Sequence, residues 1–410
     1  MTINSRPRPF HISITEDDQR DLQNRLQRTR LPDQQEGVAW EQGTSKPYLQ
    51  DLLAYWRGGY NWPKQQAWLN SHFRQFKVWV GEIDLHYGHH PSDDPNAIPL
   101  LMVHGWPGSF TDYHKLIPKL QQKGNVSRSY HIVVPSLPGY GFSSAPIRPG
   151  FGAAQFASTI NSLMLALGYD RYVAQGGDWG TLICFLLGTQ HSDHCKAIHT
   201  LARAFPKRGH PLHEAQLLNH RLPILNKMPI TMTESELKGL DQLDQLQRCE
   251  YGYRHIQGTK PQTLGYGLSD SPTGLAAWIV EKFKTWSDCR GQVERRFTKD
   301  ELLTNICIYW FTNSITSSMR LYYESGVEWP NFMQQYCEVP TAIVKFPADT
   351  FSSMPRAWIE HTWNVQQYTE MPAGGHFPAL EEPDLLVEDM DRFFAGNHHL
   401  DAQAASLHSL

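Results

Sequence analysis

The segment Tyr172–Thr181 reads Tyr-Val-Ala-Gln-Gly-Gly-Asp-Trp-Gly-Thr, a short apolar run that turns through a G-x-D-x-G pattern into a second apolar run. In the G-x-S-x-G counterpart of this turn, small flanking residues permit a sharp strand-to-helix elbow that lifts the central side chain above a sheet. Here the lifted group is the carboxylate of Asp178. With an ordinary pKa of about 3.9 it is ionised at neutral pH and needs no base to attack. Attack on an acyl carbonyl would give a labile anhydride, so the productive target is a saturated carbon bearing a leaving group. The result is an ester on the protein, which water must then cleave.

Ester cleavage calls for a base, an acid to orient it and donors for the developing oxyanion. On this architecture the chain order is nucleophile, acid, histidine. Pro372-Ala373-Gly374-Gly375-His376-Phe377-Pro378 is a loop ahead of a final helix-like segment and offers His376 as the base that deprotonates water. Lys345-Phe346-Pro347-Ala348-Asp349-Thr350 follows an apolar run and offers Asp349 as the relay acid; its rival role is capping the helix near Pro355 and Trp358. For the oxyanion, Trp179 follows the nucleophile, and Trp106 lies in His104-Gly105-Trp106-Pro107-Gly108 after a buried-strand run. The backbone N–H groups of both are the candidate donors.

Three kinds of segment must hold these groups. Residues 1 to about 85 are polar and helix-prone, with Thr15-Glu16-Asp17-Asp18 as a capping box ahead of Leu22 and Leu26, and read as an extension packed on the rest. From 86 to 204, strand-like runs at 99–103, 130–134 and 197–201 alternate with helix-like ones at 113–120 and 156–167, which predicts a mostly parallel sheet covered by helices on both faces. Residues 205–325 are helical and rich in Tyr, Trp and Met, as a cap would be. Strand patterns return at 339–346 and 362–368, completing the α/β unit over 326–396 with a helix at 383–394. Residues 397–410 are small and polar, and a disordered tail is expected there.

Composition removes several classes of function. The 410 residues carry 37 basic and 41 acidic side chains, a net charge of −4 without long runs of either sign, so nucleic acid and anionic membranes are not expected partners. The six cysteines are scattered and lack a C-x-x-C pair, as in reduced cytosolic proteins. Met1–Pro9 has no apolar core, and Leu182–Leu187 is far shorter than the roughly 18 residues of a spanning helix, so a cytoplasmic protein without an anchor is expected. No metal or organic cofactor is implied. Gly139-Tyr140-Gly141-Phe142-Ser143-Ser144 lacks the third glycine of a dinucleotide loop, and His210 with His213 has no further ligand pattern.

The leaving group separates the possible substrates. A halide wants indole or amide donors, whereas a strained three-membered ether stays attached and needs a proton at its oxygen, which a neutral tyrosine can give. Glu250–Gln257 contains Tyr251 and Tyr253, and Ser318–Tyr323 contains Tyr322 and Tyr323. From position alone, amphipathic packing accounts for these tyrosines better than a role as acid groups does.

Beyond its separate motifs, the chain resembles the microsomal and juvenile-hormone epoxide hydrolases and their microbial relatives over nearly its whole length. The matching stretches are Leu101–Phe110, Pro138–Ser143, Gln175–Gly180, Gly252–Gln257 with Thr259-Lys260-Pro261, Gly274–Ala277 with Glu281-Lys282-Phe283, and Gly374–Phe377 with Glu381-Glu382-Pro383. The resemblance implies an α/β-hydrolase fold with a helical cap and an N-terminal extension, and hydrolysis of epoxides to vicinal diols. It implies Asp178 as nucleophile, His376 as base, Asp349 as relay acid and Tyr253 and Tyr322 as donors to the epoxide oxygen. Trp106, Trp179 and Phe377 would border a small apolar epoxide. The cap aromatics Trp278, Trp286, Trp310 and Phe311 are further candidates for that border. A haloalkane dehalogenase using the same Asp178, and a silent lipid- or hormone-binding relative, are the alternatives. Whether the chain forms a homodimer is open.

Overall fold

The structure is a computed structural model, and it describes residues 5–122, 124, 126–204, 234–332 and 335–396. His210, His213 and the expected tail at 397–410 lie outside the described residues. Among the described residues nine strands, β1 (Arg8–Pro9), β2 (Gln75–Val80), β3 (Ile83–His90), β4 (Ile98–Val103), β5 (Tyr130–Pro135), β6 (Tyr172–Gly176), β7 (Cys195–Leu201), β8 (Cys337–Lys345) and β9 (Trp363–Glu370), form one sheet ordered β1-β2-β3-β5-β4-β6-β7-β8-β9. From β5 onward every neighbouring pair is parallel, while β1, β2 and β3 join antiparallel at the other edge. This is the α/β-hydrolase arrangement the motifs imply. Strands β4, β5 and β6 are buried at every position, as continuous apolar runs are when helices cover both faces of a parallel sheet.

The first ninety residues are less helical than expected. Helices α1 (Glu16–Gln27), α2 (Lys46–Gly58) and α3 (Trp62–His72) are followed by the β2–β3 hairpin, which extends the sheet. Its sequence alternates, with Phe76, Val78 and Val80 interleaved by Lys77 and Trp79, and Gly81 supplies the turn at φ 58°. Thr15 does cap α1, accepting from the Asp18 N–H at 3.1 Å. The expected helix at 113–120 is a short 3-10 turn, Phe110–Tyr113, then α4 (Leu116–Gln121).

Helices α5 (Ala153–Ala166) and α6 (Trp179–Gln190) pack on the sheet with their middle residues buried. Between β7 and β8 the described chain is helical: α7 (Glu234–Cys249), α8 (Gly252–Thr259), α9 (Pro261–Asp270), α10 (Pro272–Trp286), α11 (Lys299–Thr312) and α12 (Ile315–Phe332). Helices α13 (Arg356–Thr362), α14 (Pro378–Glu381) and α15 (Pro383–Gly396) complete the chain. The N-terminal segment ties itself to the inserted helices. Arg25 donates to the Asp270 carboxylate at 2.8 Å, Thr44 Oγ1 to Ala277 O at 2.6 Å, and the Tyr55 hydroxyl to Asp300 Oδ1 at 2.8 Å.

Candidate active site

Asp178 occupies the turn between β6 and α6 with φ 55° and ψ −122°, a conformation that costs a non-glycine residue energy and persists where the surroundings impose it. Its neighbours explain the imposition. A Cβ on Gly176 would sit 2.6 Å from Gly180 O, and one on Gly180 would overlap Val103 O, so two glycines let α6 begin hard against β4 and β6. The raised carboxylate then meets the end of β4. Trp106 N–H donates to Asp178 Oδ1 at 2.8 Å. His104 anchors this loop: its Nε2 accepts from Leu137 N–H at 3.1 Å and its Nδ1 faces Gly105 O at 3.0 Å. Burial pushes its pKa down to about 4, so the ring is neutral and carries its proton on Nδ1. From α11, Asn305 donates to Pro107 O at 2.8 Å and Tyr309 to Gly108 O at 2.7 Å.

His376 reaches the same carboxylate from the loop after β9. Its Nε2 lies 3.3 Å from Asp178 Oδ2, without hydrogen-bond alignment, and its Nδ1 is 2.9 Å from Asp349 Oδ1. The backbone N–H of His376 donates to Trp286 O at 2.8 Å, and a Cβ on Gly375 would come within 2.7 Å of Ser287 Cα. Glycine therefore lets the histidine loop press against the end of α10. Burial favours the neutral imidazole, but the Asp349 and Asp178 carboxylates outweigh it and raise the pKa to about 9.

Asp349 follows β8 and is buried. It does not cap α13, whose N-cap is Pro355. Burial opposes its ionisation; Arg203 Nη2 at 3.0 Å and His376 overcome that and hold its carboxyl well below the usual carboxylate range. Trp179 is the first residue of α6, so its N–H has no acceptor within the helix and is free to serve an oxyanion.

An aromatic wall faces Asp178 from the inserted helices. Tyr253 on α8 stacks on Trp106 (centroids 5.4 Å, planes 8° apart), and Tyr322 on α12 stands edge-on to Trp106 at 6.0 Å and to Trp179 at 4.7 Å. The two tyrosine rings are 6.0 Å apart. The Tyr322 hydroxyl is buried without an aligned hydrogen-bond partner, the Trp179 side chain lying alongside. Burial, reinforced by the Asp178 charge, raises both phenols well above 10, so both carry their protons at neutral pH. Their chain neighbours lie elsewhere: Tyr323 is 46% exposed, and Tyr251 is half-buried against Phe351 and Arg254. Pro138–Ser143 braces this wall, with Tyr140 OH donating to Ser318 O at 3.1 Å and Ser317 Oγ to Gly139 O at 2.5 Å.

Two matches to family descriptions cover overlapping parts of the chain: epoxide hydrolase N terminus over residues 7–113, and alpha/beta hydrolase fold over residues 98–229. Epoxide hydrolase 1 of Oryctolagus cuniculus is 38% identical over 411 aligned residues, which span 94% of this chain and 88% of the relative. The chain belongs to the epoxide hydrolase family. Among solved structures, that of juvenile hormone epoxide hydrolase from the silkworm Bombyx mori superimposes with a TM-score of 0.84 at 32% identity, covering 96% of this chain and 95% of that one. The Aspergillus niger epoxide hydrolase gives 0.82 at 29% identity, covering 96% and 97%.

Within this family member, the aromatic residues expected at the substrate divide. Trp286 reaches the site, edge-on to His376 at 5.1 Å and donating to Glu250 Oε1 at 2.9 Å. Trp310 and Phe311 face the N-terminal segment instead, under Arg25 (5.6 Å) and against Trp62 (4.9 Å), and Trp278 donates to Gln257 at 3.1 Å. Phe377 is buried in a stack with Phe283, at 4.4 Å between centroids. Three charged residues escaped the sequence reading. They are Arg203 beside Asp349, Asp112 in the loop after β4, and Glu381, whose buried carboxylate accepts from the N–H groups of Phe377 and Asp288 and so holds the histidine loop. Asp112 closes a capping box with Ser109 and Glu381 sits in the matching Glu381-Glu382-Pro383 stretch, so both carried a local signal, whereas Arg203 acquires its role only from Asp349, distant in sequence. Among the described residues no helix is long and apolar enough to cross a membrane.

Proposed function

We propose that this chain hydrolyses epoxides to vicinal diols through an ester on Asp178. Oδ1, held by the Trp106 N–H, becomes the ester carbonyl oxygen, and Oδ2 attacks an epoxide carbon from behind. The ring C–O bond breaks as the C–O bond to Asp178 forms, inverting that carbon. The departing alkoxide takes a proton from Tyr253 or Tyr322. Water, deprotonated by His376 under the hold of Asp349, then attacks the ester carbonyl, and the oxyanion is received by the Trp106 and Trp179 amides. Collapse releases the diol and restores the carboxylate, leaving His376 protonated as in the resting enzyme.

The observation that carries this reading is a carboxylate shared between an amide donor at 2.8 Å and an imidazole at 3.3 Å, with two protonated phenols nearby. The same electrostatics time the base. In the resting enzyme the Asp178 charge helps hold His376 protonated up to about pH 9; once Asp178 is esterified that charge is gone, the imidazolium returns its proton to the deprotonated phenol through solvent, and the neutral ring can accept one from water.

This reading takes residues 1–85 as an N-terminal extension, 86–204 and 326–396 as the α/β-hydrolase core and 205–325 as the cap. A small apolar epoxide and water are the partners. The cytoplasm is the location, in keeping with six cysteines that are all unpaired. A homodimer is the assembly to test by sedimentation. For the chemistry, the His376→Gln variant is mixed with styrene oxide and digested. The expected result is a mass increase equal to the epoxide on the peptide carrying Asp178. A label elsewhere, or no adduct while the wild type makes diol, removes the proposal.

A further inference from the structure

Two cavities meet behind the triad. The inner one, about 40 Å³, is bordered by Asp178, His376, Trp106, Asp112, Ala379 and Leu380, among others. The outer one, about 250 Å³, lies between α3, α11 and the loop after β4, with Gln65, Trp68, Asp300 and Asn305 in its walls and the exposed Lys64 at its rim. Asp112 and Leu380 border both spaces, and neither space touches Tyr253 or Tyr322.

Polar atoms with no hydrogen bond made stand at both ends. Asn305 Oδ1 is buried and unpaired while its amide nitrogen serves Pro107 O. His376 Nε2 has no aligned partner. Between them, Asp112 accepts from the Ser109 N–H at 3.3 Å, the one hydrogen bond found for its carboxylate among the described residues. It is enclosed by protein yet keeps accessible surface, as a side chain facing an internal cavity does, and its burial raises the carboxyl to about 7. Unpaired buried groups of this kind are ordinarily completed by ordered water, and 40 Å³ has room for at least one molecule.

We propose that the outer cavity is a water chamber, and that the water which cleaves the Asp178 ester is held by a chain running from Asn305 past Asp112 to His376, apart from the space in front of the tyrosines. This rests on the epoxide reading and adds the source of its second reactant. The two half-reactions make opposed demands. Ring opening wants an apolar epoxide filling the space before the phenols, which expels water there; ester cleavage wants one water fixed at Nε2. A separate chamber meets both. Because α3 forms one wall, the N-terminal segment then contributes to the hydrolytic half-reaction as well as to packing.

The test uses the full chain and styrene oxide in single-turnover experiments that resolve ester formation from ester decay. Ala379→Val fills the inner cavity, and Asp112→Leu removes the polar link between the two. Ester formation is expected to stay within about twofold of wild type while decay slows by about tenfold and ester accumulates; Asp112→Asn, which can still bond water, should lie between. Decay unchanged in both Ala379→Val and Asp112→Leu overturns the proposal. So does an equal loss of both steps, since that would mark Asp112 as a mere support of the Trp106 loop. If wild type itself forms no ester on Asp178, the epoxide reading fails first; if it does and only decay is insensitive, the chamber alone fails.

Discussion

The edge of the sheet and the helices inserted between β7 and β8 hold their parts of the site by different means. Sheet-borne groups are fixed by backbone and charge: Asp178 by a strained elbow and the Trp106 amide, His376 by Asp349, and Asp349 by Arg203. Tyr253 and Tyr322 are held by ring contacts with centroids 4.7 to 6.0 Å apart, and the Tyr322 hydroxyl is left without an aligned partner. Hydrogen bonds between charged groups fix a reacting atom to within tenths of an ångström, whereas stacked rings tolerate small slides. The carbon–oxygen bond formation proposed for Asp178 needs the first kind of hold. The grasp of epoxide oxygen proposed for the tyrosines is served by the second.

Substitutions should divide along the same line. The largest effect is expected from Asp178→Ala, which removes the ester altogether; diol formation should fall by about 10⁴-fold or more, with no adduct by mass spectrometry. Asp349→Asn loses the charge that holds His376 in its tautomer, and should slow ester decay by roughly 10²- to 10⁴-fold while leaving ester formation closer to normal. If both steps fall together, the sheet-borne groups do not act separately from the cap. Tyr253→Phe and Tyr322→Phe should show the reverse, each slowing ester formation by about 10²-fold and sparing decay, read from the same transients.

A smaller effect concerns pH. The folded pKa of His376 is raised to about 9 from an ordinary value of about 6.5, so its ion pairs stabilise the fold fully below about pH 6.5 and this contribution is lost as pH rises through about 9. Asp178→Asn removes one of the two raising charges. The imidazole should then titrate at lower pH by NMR, and the loss of thermal stability should be smaller and complete at lower pH. The smallest effect is expected from Tyr323→Phe. Its side chain is 46% exposed, so both half-reactions should remain within about twofold of wild type. A large loss there would move the phenol pair by one residue and undo the contrast drawn above.

The raised carboxylate of Asp178 was legible because an elbow is a local event: two glycines around Asp178 and apolar runs on either side dictate it within ten residues. His376 and Asp349 were legible by order along the chain, which a parallel sheet converts into neighbouring strand ends. The β2–β3 hairpin was missed because its alternation follows a strongly helical segment and its pairing with β5 is decided at a distance.

What the sequence determined by itself was a set of groups and their order: a carboxylate where a hydroxyl might stand, a histidine loop and an amide loop in the order the proposed catalysis requires. Only the tertiary structure decided which tyrosine of each adjacent pair turns inward, that Trp310 and Phe311 face the N-terminal segment, and that Arg203, Asp112 and Glu381 surround the triad. Those outcomes depend on helix rotation and on contacts between residues more than a hundred positions apart, such as Arg203 with Asp349 and Arg25 with Trp310, for which a linear pattern carries no signal.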